Sequence, residues 1–332
     1  MTRILKGTDS GDRCASMDCL IVTNQRDITS DYIVRELKRR GRSFFRLNTE
    51  IFPASELAFS LQDDTFDLRF GDNELRLSDV RSAYFRRPEI PALTSSPEEY
   101  REYRTNEWAS ALKSVYLYLG DRWFSHPSAI LMAEDKPRQL RLAKSLGFAA
   151  PQTLVSNSFS EVRQFATGKT VIGKPLRQAL VGSPDTEQVI YTTRLPEIAE
   201  SDRQAISVVP AIYQTEIAKQ RDLRVTVVGE RVFAVAIDSQ SRSETVTDWR
   251  RGSVPDLAHE LVELPTDIEA LCILLVQQLD LRFGAIDLVL DTEGRYWFLE
   301  CNPNGQWAWI ENRTGAPISS AIVDELERIG RI

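Results

Sequence analysis

Near the start of the chain, short apolar runs flank one amphipathic segment. Residues 18–24 form an apolar run with β-branched members, DYIVRELKRRG follows with helical spacing of its apolar positions, and FFRLN is a second apolar run. We expect Thr29 or Ser30 to cap this helix and Gly41 to end it. Strand, helix and strand in this order predict a parallel, Rossmann-like sheet, although the glycine-rich phosphate-binding fingerprint is absent from the first turn.

The next segments alternate between apolar and polar positions. ELAFSL, FDLRF and NELRL indicate small antiparallel strands, VRSAYFRRP predicts a further strand, and a helix is predicted from Pro97 to about Leu119. The first residues lack the apolar stretch of a signal peptide, so we expect a disordered extension over 1–16, or Met17 as the true start. The first folded domain is therefore predicted over 17–120.

A second α/β region follows, which we divide into 121–206 and 207–332. After His126 the sequence predicts a helix that Lys136 opens, that holds Leu140, Ala143 and Leu146 on one face and that ends at Gly147, and several strands follow it after Pro151. Two long apolar runs joined at Gly229-Glu230 predict a hairpin. Strand GAIDLVLD, turn TEG, strand RYWFLECN and a terminal helix complete the chain. Antiparallel sheet is therefore expected to dominate this region.

Composition narrows the functional classes. The 332 residues suit two domains, and no apolar run approaches the roughly 20 residues of a membrane span. We therefore expect a cytoplasmic protein without a membrane partner. A net charge of -7 argues against a nucleic-acid partner. The chain has only two histidines, which disfavours a histidine-rich zinc site and a Ser-His-Asp triad. Its four cysteines contain no CxxC pair, so we expect reduced thiols. Any metal should therefore be held by oxygen ligands.

Candidate chemistry is concentrated in the last predicted hairpin. If its strands pair about the TEG turn, Asp287 faces Glu300, and Asn302 lies on the same face as Glu300. Carboxylates placed opposite each other repel unless a cation lies between them, and an all-oxygen set suits magnesium that bridges nucleotide phosphates. The alternative is a surface hairpin with polar residues facing water. The apolar neighbours Ile286 and Leu288 disfavour it.

This Asp strand followed by Glu-x-Asn resembles the carboxyl-terminal lobe of the ATP-grasp ligases. Lys136 and Lys174 fall where those enzymes keep two lysines against the ATP phosphates, although either lysine alone is more often a solvated surface charge. The resemblance implies ATP and Mg²⁺ as cofactors, with Asp287, Glu300 and Asn302 as metal ligands. It also implies an α/β fold with α+β lobes: an N-terminal Rossmann-like pre-ATP-grasp domain followed by a two-lobed ATP-grasp domain with antiparallel sheets.

The same resemblance assigns roles in the segment QTEIAKQRDLR. Main-chain groups of Glu216, Ile217 and Ala218 are expected to contact adenine, and Asp222 to contact the ribose hydroxyls. Arg224 is expected to face the transferring phosphoryl group, where an arginine neutralises developing charge. The alternative is a simple salt bridge between Asp222 and Arg224.

Further motifs resemble the microviridin-type peptide ligases, which are graspetide maturases. They are FFRLNTEIFP, YFRRPEIP, DLRVTVVGERVFAVAIDSQ, TDWRRG and ECNPNGQWAWIENRTG. In such a family the partner is a ribosomal precursor peptide with a leader and a core. ATP phosphorylates a Glu or Asp side chain of the core, and a Thr or Ser hydroxyl or a Lys amine attacks it. The products are macrocycles closed by ester or amide bonds.

The resemblance places further residues on the acceptor side. Arg250 is expected to hold the core carboxylate, and Asp248 to orient or deprotonate the nucleophile; an ordinary loop salt bridge is the alternative. Arg86, Arg87 and Asn304 are candidate substrate contacts, and a purely structural arginine pair explains the first two equally well.

Two rival functions use the same nucleotide site. One is a RimK-like or glutathione-type carboxylate-amine ligase with a different substrate, against which the RRP and DWR motifs argue. The other is a non-catalytic nucleotide-binding regulator, against which the intact set of lysines and metal ligands argues. We place the leader-binding surface within 177–195, and base rates favour a homodimer.

Overall fold

The structure is a computed structural model that describes residues 17–71, 73–91, 93, 97–177, 180–181, 188–251 and 257–332. The extension predicted over 1–16 lies outside these residues. The chain forms two compact units. The first comprises Met1–Ile130, Asp280–Phe283 and Gln306–Ile332, and the second comprises Leu131–Leu279 and Gly284–Gly305. The domain boundaries after 120 and 206 stay a prediction.

The elements follow one another as mixed α and β structure. In chain order the strands are β1 (Met17–Thr23), β2 (Phe44–Asn48), β3 (Glu56–Ser60), β4 (Thr65–Phe70), β5 (Asn73–Arg76), β6 (Val80–Phe85), β7 (Thr153–Ser156), β8 (Val171–Lys174), β9 (Leu180–Val181), β10 (Gln188–Val189), β11 (Thr193–Arg194), β12 (Ala211–Thr215), β13 (Lys219–Val228), β14 (Arg231–Ile237), β15 (His259–Val262), β16 (Phe283–Asp291) and β17 (Tyr296–Asn302). The helices are α1 (Ile28–Arg39), α2 (Glu98–Leu119), α3 (Pro127–Ala133), α4 (Lys136–Leu146), α5 (Phe159–Ala166), α6 (Arg203–Val208), α7 (Thr266–Gln278), α8 (Ala308–Thr314) and α9 (Ile318–Gly330). None of the described helices has the length and apolar character that crossing a membrane requires.

The first unit contains the predicted parallel sheet, with strand order β2-β1-β6. The strands β3, β4 and β5 form a separate antiparallel sheet, also as predicted. Leu20, Val22 and Phe45 belong to one buried cluster that fills this unit. The prediction that Thr29 or Ser30 caps α1 is wrong. The carboxylate of Asp27 caps α1, because it accepts a hydrogen bond from the Ser30 amide at 3.0 Å.

The second unit contains mainly antiparallel sheet, which confirms the predicted fold class. One sheet has the order β11-β8-β12-β7, and another has the order β15-β14-β13-β16-β17. The predicted Gly229-Glu230 hairpin is confirmed, since Val228 pairs with Arg231. The predicted helix that Lys136 opens is confirmed as α4, and Gly147 follows its last residue. The Asp135 side chain caps α4 by accepting from the Arg138 amide at 2.7 Å.

Candidate active site

The last hairpin places two carboxylates directly opposite each other. Asp287 on β16 pairs with Glu300 on β17, as predicted, and Asn302 pairs with Ala285 two residues further along. The pairing shifts by one residue between Asp287 and Leu288, so the register on the two sides of the carboxylate pair differs. Strand pairing therefore brings the two acidic residues together.

Protein cations offset the charge of both carboxylates. Arg224 Nη1 lies 2.8 Å from Asp287 Oδ1, and Lys136 Nζ lies 3.1 Å from Glu300 Oε2. Arg250 Nη1 lies 3.8 Å from the other oxygen of Glu300. Burial opposes ionisation of Glu300, but Lys136 and the neighbouring cations hold its pKa at about 2. Glu300 therefore carries its negative charge at neutral pH, and the neighbouring cations offset the repulsion expected between the two acidic side chains.

A glycine gives the guanidinium of Arg224 its space. A Cβ atom on Gly305 would lie 2.8 Å from Arg224 Nη2 and 2.3 Å from the Cβ atom of Ala285. Both distances are shorter than real Cβ contacts, so no larger side chain fits here unless a neighbour moves. Gly305 belongs to the NPNGQW motif, and the structure gives a physical reason for the glycine in it.

The two predicted lysines line the same cavity from different elements. Lys136 begins α4, and Lys174 ends β8. Burial lowers the pKa of Lys174, while the negative charge of Glu300 partly restores it. The half-buried Lys174 ammonium group gains from a second anion, because Glu300 is shared with Lys136.

Sequence reasoning missed Gln139, which fixes Lys136 relative to Glu300. Its side-chain amide donates to the Cys301 carbonyl at 2.6 Å and accepts from the Cys301 amide at 2.8 Å. The same nitrogen donates to the Ala133 carbonyl at 2.5 Å. Gln139 lies one turn after Lys136, and Cys301 follows Glu300, so this buried amide joins the start of α4 to the acidic strand. An isolated glutamine in an amphipathic helix gives no signal of such a role.

The predicted adenine-binding segment follows β12. The Glu216 amide donates to the Thr170 carbonyl at 2.9 Å, and the Ala218 carbonyl accepts from the Thr292 amide at 3.3 Å. The Glu216 carboxylate pairs with Arg194 at 2.7 Å. The Glu216 amide and the Ala218 carbonyl therefore already have hydrogen-bond partners within the protein. Fewer main-chain groups of this segment are available to contact an adenine base.

Asp222 and Arg224 do not pair with each other, so the simple salt bridge considered for them is wrong. Asp222 pairs with Lys219 at 2.7 Å, and Lys219 also donates to the Thr247 carbonyl at 3.2 Å. Burial raises the pKa of Asp222, and the charge of Lys219 opposes this shift. Arg224 contacts Asp287 instead because β13 and β16 are neighbours in the sheet.

Asp248 and Arg250 form the loop salt bridge that was the alternative to a substrate role. Two nitrogens of Arg250 contact the two carboxylate oxygens of Asp248 at 2.8 and 3.0 Å, and Asp248 also accepts from the Thr192 amide at 3.1 Å. Burial raises the pKa of Asp248, but the hydrogen bonds from Arg250 outweigh it and hold the pKa below its ordinary value. A carboxylate with a lowered pKa is a poor proton acceptor, which favours orientation over deprotonation.

Seven of the predicted residues line one cavity in the second unit. This cavity encloses about 730 Å³ of non-atom space, part of it open to solvent, and its predicted members are Lys136, Lys174, Asp222, Asp248, Arg250, Asp287 and Glu300. Glu216 and Ile217 line a second cavity, together with Pro151 and Leu299. Ile172, Gln214, Thr247 and Leu299 belong to the walls of both cavities. A charged compartment and a more apolar one therefore share a wall.

The remaining candidates are placed as follows. Arg86, in the first unit, is only 1% exposed and its Nε atom lies 3.4 Å from the Asp27 carboxylate. The Arg87 carbonyl accepts from Asn24. The Asn304 amide donates to Asn302 Oδ1 at 3.0 Å, so Asn304 adjoins the acidic hairpin in the second unit. A buried Arg86 beside Asp27 agrees with the structural role that was weighed for it.

The donor set of the hairpin fits a hard cation. Asp287, Glu300 and Asn302 provide only oxygen, which magnesium prefers, and Glu300 is ionised. Within the described residues no group of three or more His, Cys, Asp or Glu side chains is arranged for a metal. A cation here therefore needs the amide oxygen of Asn302, or oxygens of its ligand, to complete its shell.

Two family models match the chain. Residues 18–130 match the MvdD pre-ATP grasp domain, and residues 133–326 match the RimK-like ATP-grasp domain. A RiPP-associated ATP-grasp ligase of Chryseobacterium gregarium, in complex with ADP and a leader and core peptide, is 26% identical and has a TM-score of 0.84, over 93% of this chain and 96% of that chain. The macrocyclase MdnC of Microcystis aeruginosa MRC, bound with precursor peptide MdnA, is 27% identical with a TM-score of 0.81, over 95% of this chain and 99% of that chain.

The chain is also similar in sequence to curated relatives. A probable alpha-L-glutamate ligase of Enterobacter sp. (strain 638) is 29% identical over 227 residues, which are 67% of this chain and 72% of that protein.

Proposed function

We propose, from the premise that this chain belongs to the RimK-like ATP-grasp family, that it is a ligase that joins side chains within a ribosomally made precursor peptide. The family model covers more than half of the chain. Membership makes the chain an ATP-grasp carboxylate ligase, and the MvdD pre-ATP grasp model accounts for most of the remainder. The peptide substrate is the part of this assignment that goes beyond the family.

The observation that carries the proposal is the constellation around the last hairpin. Asp287 and Glu300 face each other, and Lys136 and Arg224 offset their charges. The cavity that contains them is also lined by Lys174, whose half-buried side chain is suited to an anionic ligand. Paired carboxylates beside several cations are what a complex of magnesium and a nucleoside triphosphate requires.

We assign the following roles to this chain's own residues. Lys136 and Lys174 bind the phosphates, and Arg224 offsets charge that develops on the transferring phosphoryl group. Asp287, Glu300 and Asn302 would hold Mg²⁺, which when bound neutralises phosphate charge. Asp222 accepts from the ribose hydroxyls, and the 216–218 segment contacts adenine.

The acceptor side belongs to the loop that contains Asp248 and Arg250. We assign binding of the core carboxylate to Arg250, because its guanidinium lies at the cavity wall and 3.8 Å from Glu300. Asp248 holds that guanidinium in place through two contacts. Asn304, next to Asn302, is assigned as a further substrate contact. Arg87, in the first unit, is assigned the same role. The core carboxylate is activated as an acyl phosphate, and the attacking hydroxyl or amine displaces phosphate as it forms the ester or amide.

The peptide assignment rests on relatives that were solved with peptides. The Chryseobacterium ligase was in complex with a leader and core peptide and MdnC was bound with a precursor peptide, and each is more than 25% identical to this chain over nearly its whole length. The RRP, DWR and NPNGQW motifs support the same assignment. The substrate that we propose is therefore a leader-containing peptide whose core has Glu or Asp together with Thr, Ser or Lys.

The test is incubation of the purified protein with ATP, Mg²⁺ and synthetic peptides of this composition, taken from short reading frames near its gene. We expect the mass of the peptide to fall by one water for each bond formed, with one ADP released per bond. Lys174→Ala and Glu300→Gln should abolish both signals while the proteins stay folded, whereas Lys169→Ala, at an exposed lysine, should not. Full turnover by Lys174→Ala would refute the site assignment, and ADP release without loss of water would refute peptide cyclisation.

A second candidate has one observation in its favour. The probable alpha-L-glutamate ligase of Enterobacter sp. (strain 638) matches two thirds of this chain. If this chain ligated glutamate to a peptide, the mass of the peptide would rise. Free glutamate supplied with the peptide separates the two functions, because a mass gain supports glutamate ligation and a mass loss supports cyclisation.

A further inference from the structure

Two chain segments lie side by side in one wall of the charged cavity. The first is 190–193, which runs into β11, and the second is the loop 247–251. The residues with which these segments line the cavity include Ile190, Thr192, Trp249 and Arg250. β11 is anchored by its pairing with β8, whereas no residue of the loop belongs to a described strand. The loop therefore depends on side-chain contacts to stay against the first segment.

The wall is thin where the two segments meet. Side chains alternate along an extended segment, so Tyr191 and Thr193 face away from the cavity. Thr193 and Arg251 are exposed to solvent, and even Ile190, which lines the cavity, is 45% exposed. A single layer of residues therefore separates the cavity from bulk water at this wall.

Arg251 joins the two segments on the solvent side of the wall. Its Nη2 atom donates to the Thr193 hydroxyl, and its guanidinium carbon lies 5.7 Å from the centre of the Tyr191 ring, over which it forms a cation–π contact. On the cavity side the Thr192 amide donates to the Asp248 carboxylate at 3.1 Å. The loop is therefore attached to the first segment from both faces of the wall, and Arg251 makes the outer attachment.

An acyl phosphate in this cavity has two fates. A hydroxyl or amine of the peptide attacks the acyl carbon and forms the ring bond, or water attacks the same carbon and regenerates the core carboxylate. In both cases the bond between the acyl carbon and the phosphate oxygen breaks, and the proton of the attacking group is released to phosphate or to solvent. A site that excludes water suppresses the second fate. A wall one residue thick, next to bulk water, is where water would enter.

Resting on the proposed function, we propose that Arg251 is a positioning residue that closes this wall and thereby directs the acyl phosphate to the peptide instead of water. Arg251 acts through Trp249 and Arg250, which precede it in the same helical turn and line the cavity. Its two contacts hold that turn against the first segment. Without them the turn separates from the segment for part of the time, and water reaches the acyl carbon.

The test measures how many ADP molecules are released for each ring bond formed, with the peptide substrate, ATP and Mg²⁺ in heavy-oxygen water. The wild-type protein should release about one ADP per bond and leave the peptide unlabelled. Arg251→Met keeps the apolar stem and removes the guanidinium. It should raise the ratio of ADP to bonds about threefold, and the unjoined peptide should carry heavy oxygen in its core carboxylates.

Three further variants make the test specific. Arg251→Lys keeps the cation and should restore part of the wild-type ratio. Tyr191→Leu removes the ring beneath Arg251 and should raise the ratio by less than Arg251→Met does. Arg295→Met is the matched control, because Arg295 also lies over an aromatic ring and pairs with a carboxylate, but in the turn between β16 and β17. It should keep the wild-type ratio.

The outcomes separate this inference from the proposed function. A wild-type ratio in Arg251→Met overturns the role of Arg251, and so does an equal rise in Arg295→Met. Heavy oxygen found in the phosphate instead of the peptide shows that water attacked phosphorus, which overturns it as well. In each of these cases the ring bonds still formed leave the proposed function standing. If Arg251→Met does not fold, Tyr191→Leu and Arg251→Lys decide by the same ratio. A wild-type protein that forms no bond overturns the proposed function and this inference together.

Discussion

Replacing Gly305 with alanine should disturb Arg224 without removing a charged group. The added methyl group would lie 2.3 Å from the Ala285 Cβ atom and 2.8 Å from Arg224 Nη2. Ala285 is fully buried in β16 and paired with Asn302, so its side of the contact has little freedom to move. The guanidinium must therefore retreat from 2.8 to about 3.4 Å, where ordinary van der Waals contact begins.

Two effects of different size follow. Overpacking of a buried site lowers the free energy of unfolding by about 1–3 kcal/mol. The retreat of Arg224 strains its 2.8 Å contact with Asp287 and displaces the group assigned to the phosphoryl transfer. Because a misplacement of roughly 1 Å at a reacting centre costs up to about a hundredfold in rate, we expect kcat to fall by about tenfold to a hundredfold.

Urea unfolding and ADP release with peptide substrate at saturating ATP measure the two effects separately. The double variant Gly305→Ala/Ala285→Gly removes the 2.3 Å contact and should recover part of the stability. Its kcat should stay low, because the contact with Arg224 remains. Gly294→Ala, in a turn where φ is 84°, is a matched glycine control that should lose stability and keep kcat. A Gly305→Ala protein with the wild-type kcat would show that the position of Arg224 does not matter for the reaction.

Three further outcomes test the site. Gln139→Leu removes the side-chain partners of the Cys301 amide and carbonyl. It should lower the free energy of unfolding, measured with urea, by about 2 kcal/mol and should weaken ATP binding, measured by calorimetry. Unchanged ATP affinity would contradict the link between Gln139 and Lys136. The pKa of Glu300 is lowered from 4.5 to about 2, so ionised Glu300 stabilises the fold fully above pH 4.5 and this stabilisation is lost as the pH falls towards 2. Glu300→Gln should flatten the plot of unfolding free energy against pH between these two values. An equally steep plot in the variant would argue against the ion pairs of Glu300. Burial lowers the pKa of Lys174, so this side chain loses its charge below the ordinary lysine pKa of 10.5. If that charge binds phosphate, the ATP affinity measured by calorimetry should fall as the pH rises towards 10.5. Lys174→Arg should remove that fall, because arginine keeps its charge over this range.

The placement of the acidic pair was predictable because it depends on local rules. Side chains alternate along a strand and a short turn fixes the register of the pairs beside it, so counting about the TEG turn predicted Asp287 opposite Glu300. The pairs nearest the turn would by themselves set Asp287 opposite Leu299, and the one-residue shift between Asp287 and Leu288 gives the observed pairing. The parallel sheet of the first unit followed from its strand, helix and strand order in the same way. Patterns of this kind depend only on residues that are close in sequence.

The partners of individual side chains were not predictable, because they come from distant parts of the chain. Arg224 contacts Asp287, 63 residues away, and not Asp222, since the order of strands in the sheet decides its neighbour. Gln139 has no local pattern around it that distinguishes it from a surface glutamine. Its role derives from the main chain of Cys301, which the fold places next to its side chain.

The amide bridge between Gln139 and Cys301 also has a consequence for the order in which the protein is made. Its two ends are 162 residues apart, so Cys301 is added to the growing chain long after Gln139. While the ribosome is still adding the segment between them, the helix that begins at Lys136 lacks the strand to which Gln139 joins it. The pairing of Lys136 with Glu300 therefore forms only once β17 has been made, and a transcript cut short before β17 yields a polypeptide that has the lysines but not this pairing.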